Sequence, residues 1–325
     1  MAFVSALLIG GCSGPTAPST PAPPPAAPLP PVSPLALACP ANLTSAAASD
    51  AGVNVLFSAP VAMGGVAPHT ITCVPGTGQL FPVGLTTVAC AVVDAASVTG
   101  ACSFTVDVVP IPRLRRTRFM AFGDSVTAGE VTVPVNGVTP PGAAPGSRQI
   151  VLAPAAYPSV LNDQLRQRYV SQSVAVVNAG RTGEPAASAF PRFQSAMATN
   201  RPEVVLLLTG YNDVESRASV DAASRSIDRM AKEARGLGAR VFVATLTPII
   251  QGRSRSQPDA LVQQLNSAIR SLAAGEGAVL VDLYQAALPN VEAWIGVDGL
   301  HPTEAGYARI ADQFFAAIRA DLEAH

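Results

Sequence analysis

The stretch RFMAFGDSVTAGE, residues 118–130, joins an apolar run to a short polar turn. The run ending at Phe122 predicts a buried strand, and Gly-Asp-Ser follows directly at its end. Ser and Asp are favoured helix N-caps because their side-chain oxygens accept the free backbone N–H groups of the first turn. Ser125 is therefore either a cap for the next helix or a nucleophile, and the remaining sequence bears on that choice.

From residue 114 onward, apolar strand-like runs alternate with longer segments of helical periodicity. The predicted strands are 118–122, 174–178, 204–209, 240–246 and 278–281, and the predicted helices are 157–169, 186–199, 220–237, 259–274 and 304–324. This alternation predicts a parallel sheet covered by helices on both faces. In such sheets a ligand binds beyond the carboxyl ends of the strands, and Ser125 lies just past the first of them.

Further polar residues follow at the later strand ends. A nucleophilic serine needs a base, and the base needs an orienting partner. His301 lies in DGLHPTEAGY, residues 298–307, three residues after Asp298, so the carboxylate can hold Nδ1 and leave Nε2 for the serine. Gly183 in NAGRTGEPA and Asn212 in TGYNDV follow the second and third strands, and both offer donors to an oxyanion.

The order and spacing of these blocks resemble the SGNH (GDSL) hydrolase family, from about residue 118 to the C-terminus. FGDSVTAG is similar to its first block, NAGRTGE to the second, GYND to the third and DGLHPTEAGY to the fifth. The resemblance implies Ser125 as nucleophile, His301 as general base and Asp298 as its orienting partner. It implies an oxyanion hole made by the Ser125 and Gly183 N–H groups and the Asn212 side chain. It also implies a flavodoxin-like three-layer fold without metal or cofactor.

Four details of these blocks stay open. Glu184 stands where the family usually has Asp, and only the alignment selects the N–H of Gly183 over that of Gly180. Asp124 and Asp213 follow the family pattern, and we interpret them as loop-bracing groups. Residues 130–155 form a long Pro/Gly-rich insertion, which either covers the active site and selects the substrate or forms a surface hairpin.

The N-terminal residues predict export. MAFVSALLI is a short apolar segment that ends in Gly-Gly-Cys12, as in a secretory signal. The ending IGGC resembles the lipobox of bacterial lipoproteins, which implies a signal segment at 1–12, lipidation of Cys12 and a membrane-anchored protein of the cell envelope or surface. Residues 13–34 contain ten prolines and predict an extended polyproline II spacer. No apolar run approaches the roughly 20 residues of a transmembrane helix.

Four of the five cysteines, Cys39, Cys73, Cys90 and Cys102, fall in one segment, and residues 103–325 contain none. An even number suits two disulfides and an oxidising compartment. Short strand-like runs in residues 35–110 predict a β-sandwich. FPVGLTTVAC and GACSFTV resemble the hyalin repeat (HYR), an immunoglobulin-like module. The resemblance implies the pairs Cys39–Cys102 and Cys73–Cys90, and a carbohydrate or surface partner.

The charge balance bears on the function class. The 21 Lys and Arg nearly cancel the 22 Asp and Glu, which gives no electrostatic reason to expect nucleic acid. We expect residues 114–325 to form a serine esterase that cleaves short or medium acyl groups from carbohydrate or lipid through an acyl-enzyme. The alternative is an adhesion or carbohydrate-binding lipoprotein whose hydrolase half is inactive.

Overall fold

The computed structural model describes residues 33–134, 146–216, 219–256 and 258–324. The predicted signal segment with Cys12, and the proline-rich linker up to residue 32, lie outside the described residues. Contacts divide the chain into two compact units. The first holds most of the N-terminal strands up to residue 106, and the second holds residues 107–325 together with 44–53 and 80–84.

The N-terminal segment consists of short strands. They are β1 (Ala36–Ala38), β2 (Leu43–Ala46), β3 (Val53–Asn54), β4 (Val61–Met63), β5 (Thr70–Val74), β6 (Leu80–Phe81), β7 (Gly84–Val93) and β8 (Thr99–Val109). Strands β2, β8, β7 and β5 form a four-stranded sheet in that order, and β1–β4 and β3–β6 form two-stranded sheets. In β7, Val88, Cys90 and Val92 are buried while their neighbours are exposed. This period of two explains the alternating sequence, because one face of each strand is packed.

Both disulfides lie in this segment. Cys39 bonds to Cys102 with Cα atoms 5.8 Å apart, and Cys73 bonds to Cys90 with Cα atoms 4.1 Å apart. Cys73 and Cys90 are direct partners in the antiparallel β5–β7 register. The structure therefore contains the pairing that the HYR resemblance implied.

The second segment forms an α/β fold around a parallel sheet. Its strands are β9 (Arg113–Leu114), β10 (Arg118–Gly123), β11 (Glu130–Pro134), β12 (Ser147–Val151), β13 (Ala175–Gly180), β14 (Val204–Leu208), β15 (Arg240–Ala244), β16 (Val279–Val281) and β17 (Glu323–Ala324). The sheet order is β13-β10-β14-β15-β16, with all neighbours parallel. Counted along the chain this order is 2-1-3-4-5, that of flavodoxin. Every residue of the central strand β14 is buried, as expected for a strand covered on both faces.

Helices connect these strands. They are α1 (Ser125–Ala128), α2 (Tyr157–Arg168), α3 (Phe190–Asn200), α4 (Tyr211–Glu215), α5 (Val220–Gly236), α6 (Asp259–Glu276), α7 (Leu283–Ala287) and α8 (Glu304–Leu322). Helices α2 and α8 pack on each other, while α5 packs on both α3 and α6. Right-handed crossovers place α2 and α8 on one face of the sheet and α3, α5 and α6 on the other. No helix in the described ranges is long and apolar enough to cross a membrane.

Two regions differ from or extend the sequence predictions. The helix predicted from residue 186 begins at Phe190, because a separate 3-10 turn occupies Ala186–Ser188 and Pro191 sits in the first helical turn. The insertion at 130–155 contains an antiparallel hairpin in which β11 pairs with β12. Residues 135–145 of that insertion lie outside the described residues.

Candidate active site

The turn after β10 presents Ser125. Gly123 ends the strand, and a Cβ at this position would lie 1.9 Å from the Leu208 carbonyl oxygen, so only glycine fits. Asp124 is the N-cap of α1 and accepts the Val126 N–H at 3.1 Å. Ser125 is the first residue of the helix and is 3% exposed. Its side chain is thus not the cap, and its backbone N–H is one of the free donors of the first turn.

His301 meets Ser125 across the site. The loop before α8 carries His301, whose ring is fully buried, and its Nε2 lies 3.0 Å from Ser125 Oγ. His301 Nδ1 lies 2.6 Å from Asp298 Oδ2. The other carboxylate oxygen of Asp298 accepts the backbone N–H groups of Leu300 and His301, at 2.9 and 3.0 Å. With its proton on Nδ1, the imidazole donates to Asp298 and can accept the serine proton at Nε2.

The Asp298 carboxylate is buried yet held as an anion. Burial raises the pKa of Asp298, but hydrogen bonds from His301, Thr132 and the Leu300 N–H outweigh burial and lower it to about 2. Hydrogen bonds that favour the charged form act in this direction. The group therefore stays charged at neutral pH, as needed to orient and stabilise a histidine that gains a proton.

Gly183 and Asn212 are the other two residues that the sequence predicts for an oxyanion hole, and both follow strands that end at the same edge of the sheet as β10. Gly183, in the loop after β13, has a φ of 72°, which disfavours other residues, although a Cβ built there would meet nothing within 4 Å. The N–H of Gly180 donates instead to Asn178 Oδ1 at 2.9 Å. Asn212, in α4, donates one amide hydrogen to the Glu184 carbonyl at 3.1 Å. The amide keeps a second hydrogen. The geometry therefore favours Gly183 over Gly180 as a donor to an oxyanion.

Asp124 and Asp213 brace the loops. Asp124 Oδ2 accepts the N–H groups of Gly210 and Tyr211, each at 3.1 Å, which ties the turn after β10 to the turn after β14. Burial raises the pKa of Asp124 to about 7, against the lowering effect of these N–H groups. Asp213 accepts the N–H groups of Ala186 and Ala187, at 2.6 and 3.0 Å. Neither carboxylate is hydrogen bonded to Ser125 or His301 in the described residues.

The β11–β12 hairpin brings two further side chains to Asp298 and His301, and neither was identified from the sequence. Thr132 Oγ1, on β11, donates to Asp298 Oδ2 at 2.5 Å. Glu130 Oε1, at the start of the same strand, lies 3.4 Å from His301 Nε2. The sequence offered one signal for these two residues, since the insertion that contains them directly follows the Ser125 block. The contact of this insertion with the distant loop at 298–301 is not visible in a linear pattern. The first strand of the insertion thus contacts the site.

Two other depressions lie on the surface of the α/β segment. A cavity of about 650 Å³ is lined by residues at the starts of the sheet strands, including Arg118, Glu203 and Gly238. It lies at the opposite edge of the sheet from Ser125, whereas parallel α/β sheets bind ligands at the carboxyl edge. A depression of about 480 Å³ is lined by Ala128, Val151, Gly180 and Thr182 and adjoins the loops of the site. No cluster of His, Cys, Asp and Glu in the described ranges is arranged to hold a metal ion.

Comparison with protein families gives two matches. Residues 121–309, more than half of the chain, match the GDSL-like lipase/acylhydrolase family. Residues 30–108 match the HYR domain. The first match contains every residue of the Ser125, Gly183, Asn212 and His301 blocks. The second contains all four disulfide-bonded cysteines.

Individual proteins agree with the first match. Esterase TesA of Pseudomonas aeruginosa is 24% identical over 146 residues, which are 44% of this chain and 69% of that protein. The lipase/acylhydrolase of Enterococcus faecalis has a TM-score of 0.51 at 21% identity, covering 63% of this chain and 97% of that chain. LAE5, an α/β hydrolase enzyme from the metagenome of Lake Arreo, has a TM-score of 0.50 at 22% identity, covering 62% and 94%. These structures support the α/β fold with a central sheet.

Proposed function

The chain belongs to the GDSL-like lipase/acylhydrolase family and is an esterase or lipase, and on that premise we propose that it hydrolyses carboxylic esters through an acyl-enzyme on Ser125. The observation that carries this proposal is the continuous hydrogen-bond chain from Ser125 Oγ to His301 Nε2 and from His301 Nδ1 to Asp298. A serine hydroxyl is a weak nucleophile by itself, and such a chain is what activates it.

The proposed reaction has two halves. Ser125 Oγ attacks the ester carbonyl carbon while His301 Nε2 takes the hydroxyl proton. The carbonyl oxygen becomes an oxyanion that the N–H groups of Ser125 and Gly183 and the Asn212 amide stabilise. His301 then donates its proton to the leaving alcohol, and the acyl group stays on Ser125. In the second half His301 activates a water, which attacks the acyl-enzyme and releases the acid.

We propose that the substrates of this reaction are esters of short or medium acyl groups carried by a carbohydrate or a lipid. The support is a depression of about 480 Å³ beside Ala128 and Thr182, which adjoins the helix that carries Ser125 and offers a place for the acyl group.

The test is hydrolysis of p-nitrophenyl acetate, butyrate and octanoate by the protein and by its Ser125→Ala variant. We expect turnover by the protein and a loss of kcat on the order of 10⁴–10⁶ in the variant, as for other serine hydrolases of this mechanism. Ser188→Ala is the matched control, because Ser188 is exposed and its hydroxyl contacts only the Pro185 carbonyl among the described residues. Equal activity of Ser125→Ala and the control would refute the assignment.

The adhesion alternative has less support. The HYR match at 30–108 is the feature that favours it. However, loss of catalysis usually removes at least one member of the site, whereas here Ser125, Gly183, Asn212, Asp298 and His301 are all present. We therefore assign the HYR segment a supporting role. We propose that it is an immunoglobulin-like β-sandwich at 35–110, separate from a hydrolase domain at 114–325, that contacts a carbohydrate or another surface partner.

We also propose that the protein is exported and held at a membrane by a lipid on Cys12. The support is the sequence IGGC, followed by a proline-rich segment suited to a spacer. Two disulfides in the next segment agree with an oxidising compartment. Expression in a bacterial host should give a membrane-bound protein whose N-terminal peptide begins at Cys12 and carries acyl chains by mass spectrometry. A Cys12→Ser variant that fractionates in the same way and has the same N-terminal mass would contradict the proposal.

A further inference from the structure

Glu130 places a second carboxylate beside the catalytic histidine. Its backbone is fixed on both sides, because it pairs with Val151 in the β11–β12 register and its carbonyl accepts the Tyr307 hydroxyl at 2.6 Å. Its side chain is 12% exposed, and Oε1 lies 3.4 Å from His301 Nε2. The carboxylate is therefore held at the same nitrogen that exchanges a proton with Ser125.

This carboxylate has few partners of its own. Throughout the described ranges, His301 is the one side chain that meets Glu130 within ion-pair distance. An ionised carboxylate has about four acceptor positions. A largely buried carboxylate that lacks donors is costly, and donors from a bound substrate relieve that cost. Since the group still reaches the surface of the site, a substrate can supply them.

The leaving alcohol has to lie in the same place. His301 Nε2 gives its proton to the alcohol oxygen as the tetrahedral intermediate collapses, so that oxygen comes within about 3 Å of Nε2. Glu130 Oε1 lies within a similar distance of the same atom. The proposed function, by contrast, places the acyl group in the depression beside Thr182 and the oxyanion at Gly183 and Asn212. Glu130 therefore borders the alcohol half of the substrate.

We propose that Glu130 selects the alcohol part of the ester, favouring alcohols that carry a hydroxyl on the carbon next to the ester-bearing carbon. Such a hydroxyl, whose oxygen is three bonds from the ester oxygen, donates to Glu130 while the ester oxygen stays at His301. The substrate class is thus acyl esters of polyols and sugars. Apolar alcohols leave the carboxylate without donors, and anionic alcohols are repelled by it. This inference rests on the proposed function and adds a residue that determines its specificity.

The test compares two acetate esters, 2-hydroxyethyl acetate and 2-methoxyethyl acetate. They have the same acyl group and nearly the same leaving group, but the second lacks the donor hydrogen. The measured quantity is the ratio of their kcat/KM values, each divided by the rate of hydrolysis by hydroxide. It is determined for the protein, for Glu130→Gln and Glu130→Leu, and for Asp163→Asn. Asp163 is an exposed carboxylate on α2 and serves as the matched charge control.

We expect a ratio of at least about five in the protein, since hydrogen bonds to charged groups are the strong ones. Asp163→Asn should keep this ratio, Glu130→Gln should lower it, and Glu130→Leu should bring it near one. Because the ratio is internal to each variant, a general loss of activity does not change it. If Glu130→Leu does not fold, as judged by circular dichroism, Glu130→Gln decides.

Two results overturn the inference. The first is a ratio near one in the protein, and the second is an unchanged ratio in the Glu130 variants. Either of them, obtained with normal turnover of p-nitrophenyl acetate, leaves the proposed function standing and removes only the role of Glu130. No turnover of any ester by the folded protein removes the proposed function and this inference together.

Discussion

At the level of single residues, the sequence could not tell which of Asp124 and Ser125 caps the next helix and which is available as a nucleophile. Both are good N-caps, so the Gly-Asp-Ser turn alone left the function of Ser125 open. The structure shows Asp124 as the cap, with its second oxygen bound to the turn after β14. The Ser125 hydroxyl is thereby free for His301. The distinction depends on contacts between distant segments, which a local pattern does not contain.

Thr132 is a positioning residue for Asp298. Asp298 accepts four hydrogen bonds, from His301 Nδ1, two backbone N–H groups and the Thr132 hydroxyl. The Thr132 bond shares Oδ2 with the histidine, so it fixes the oxygen that orients the ring. It also helps to lower the pKa of Asp298.

Replacing Thr132 by Val removes the hydroxyl at nearly constant shape. A hydrogen bond to a charged group contributes about 1.5–3 kcal/mol. We expect kcat for p-nitrophenyl acetate to fall about tenfold with little change in KM, because the substrate does not contact this hydroxyl. Steady-state kinetics measures both parameters.

Thr132→Ser is the matched control for that substitution. Serine retains the hydroxyl, so it should restore most of kcat. If Thr132→Val and Thr132→Ser lower kcat equally, the packing of β11 matters and the hydrogen bond does not.

At the level of elements, the strand ends explain why separate sequence blocks form one site. Parallel strands β10, β13 and β14 end at the same edge, so the segments that carry Ser125, Gly183 and Asn212 all begin at that edge. The periodicity of the sequence predicted these strands and helices closely. It did not predict the contribution of β11, since the pairing of Thr132 with Asp298 spans 166 positions.

The loop after β13 contains the departure from the family pattern, Glu184. Its carboxylate pairs with Arg192, whose Nε lies 2.9 and 2.7 Å from the two oxygens. Arg192 also donates to the Ala179 carbonyl at 2.7 Å and to the Gly123 carbonyl at 3.0 Å. One arginine on α3 therefore anchors the loop that carries Gly183 and the turn that carries Ser125. The longer Glu side chain is compatible with an intact loop.

We expect Arg192→Lys to loosen both segments. Lysine is a single point charge and cannot reproduce the planar set of donors that arginine presents. The free energy of unfolding should fall by about 2 kcal/mol, because partly buried acceptors lose their partners. The kcat for p-nitrophenyl acetate should fall about tenfold, because an oxyanion donor is displaced. Denaturant unfolding and steady-state kinetics measure the two effects.

Arg181→Lys controls for the loss of an arginine in the same loop. Its side chain is 66% exposed and lies 3.6 Å from Glu184, so both quantities should stay close to those of the unchanged protein. Equal losses in the two variants would mean that the anchoring by Arg192 is not specific.

At the level of the whole molecule, the two segments follow different sequence patterns. Strands in residues 36–109 alternate in burial and are joined by two disulfides, whereas the strands of the parallel sheet are almost continuously apolar. These patterns allowed the α/β class to be predicted from the sequence, whereas the family was identified from its resemblance in the four sequence blocks. The cysteine count alone allowed three pairings, and only the HYR resemblance selected the one that the structure contains.

The central claim is that Ser125 is the nucleophile, and the most direct test is covalent capture of this residue. The full chain is treated with diethyl p-nitrophenyl phosphate, which phosphorylates activated serines, and is then digested and analysed by mass spectrometry. We predict one diethylphosphoryl group per molecule, on the peptide that contains Ser125, and a parallel loss of esterase activity. The Ser125→Ala variant should remain unlabelled. An active protein that is labelled at another serine, or that keeps its activity without any label, would contradict the account.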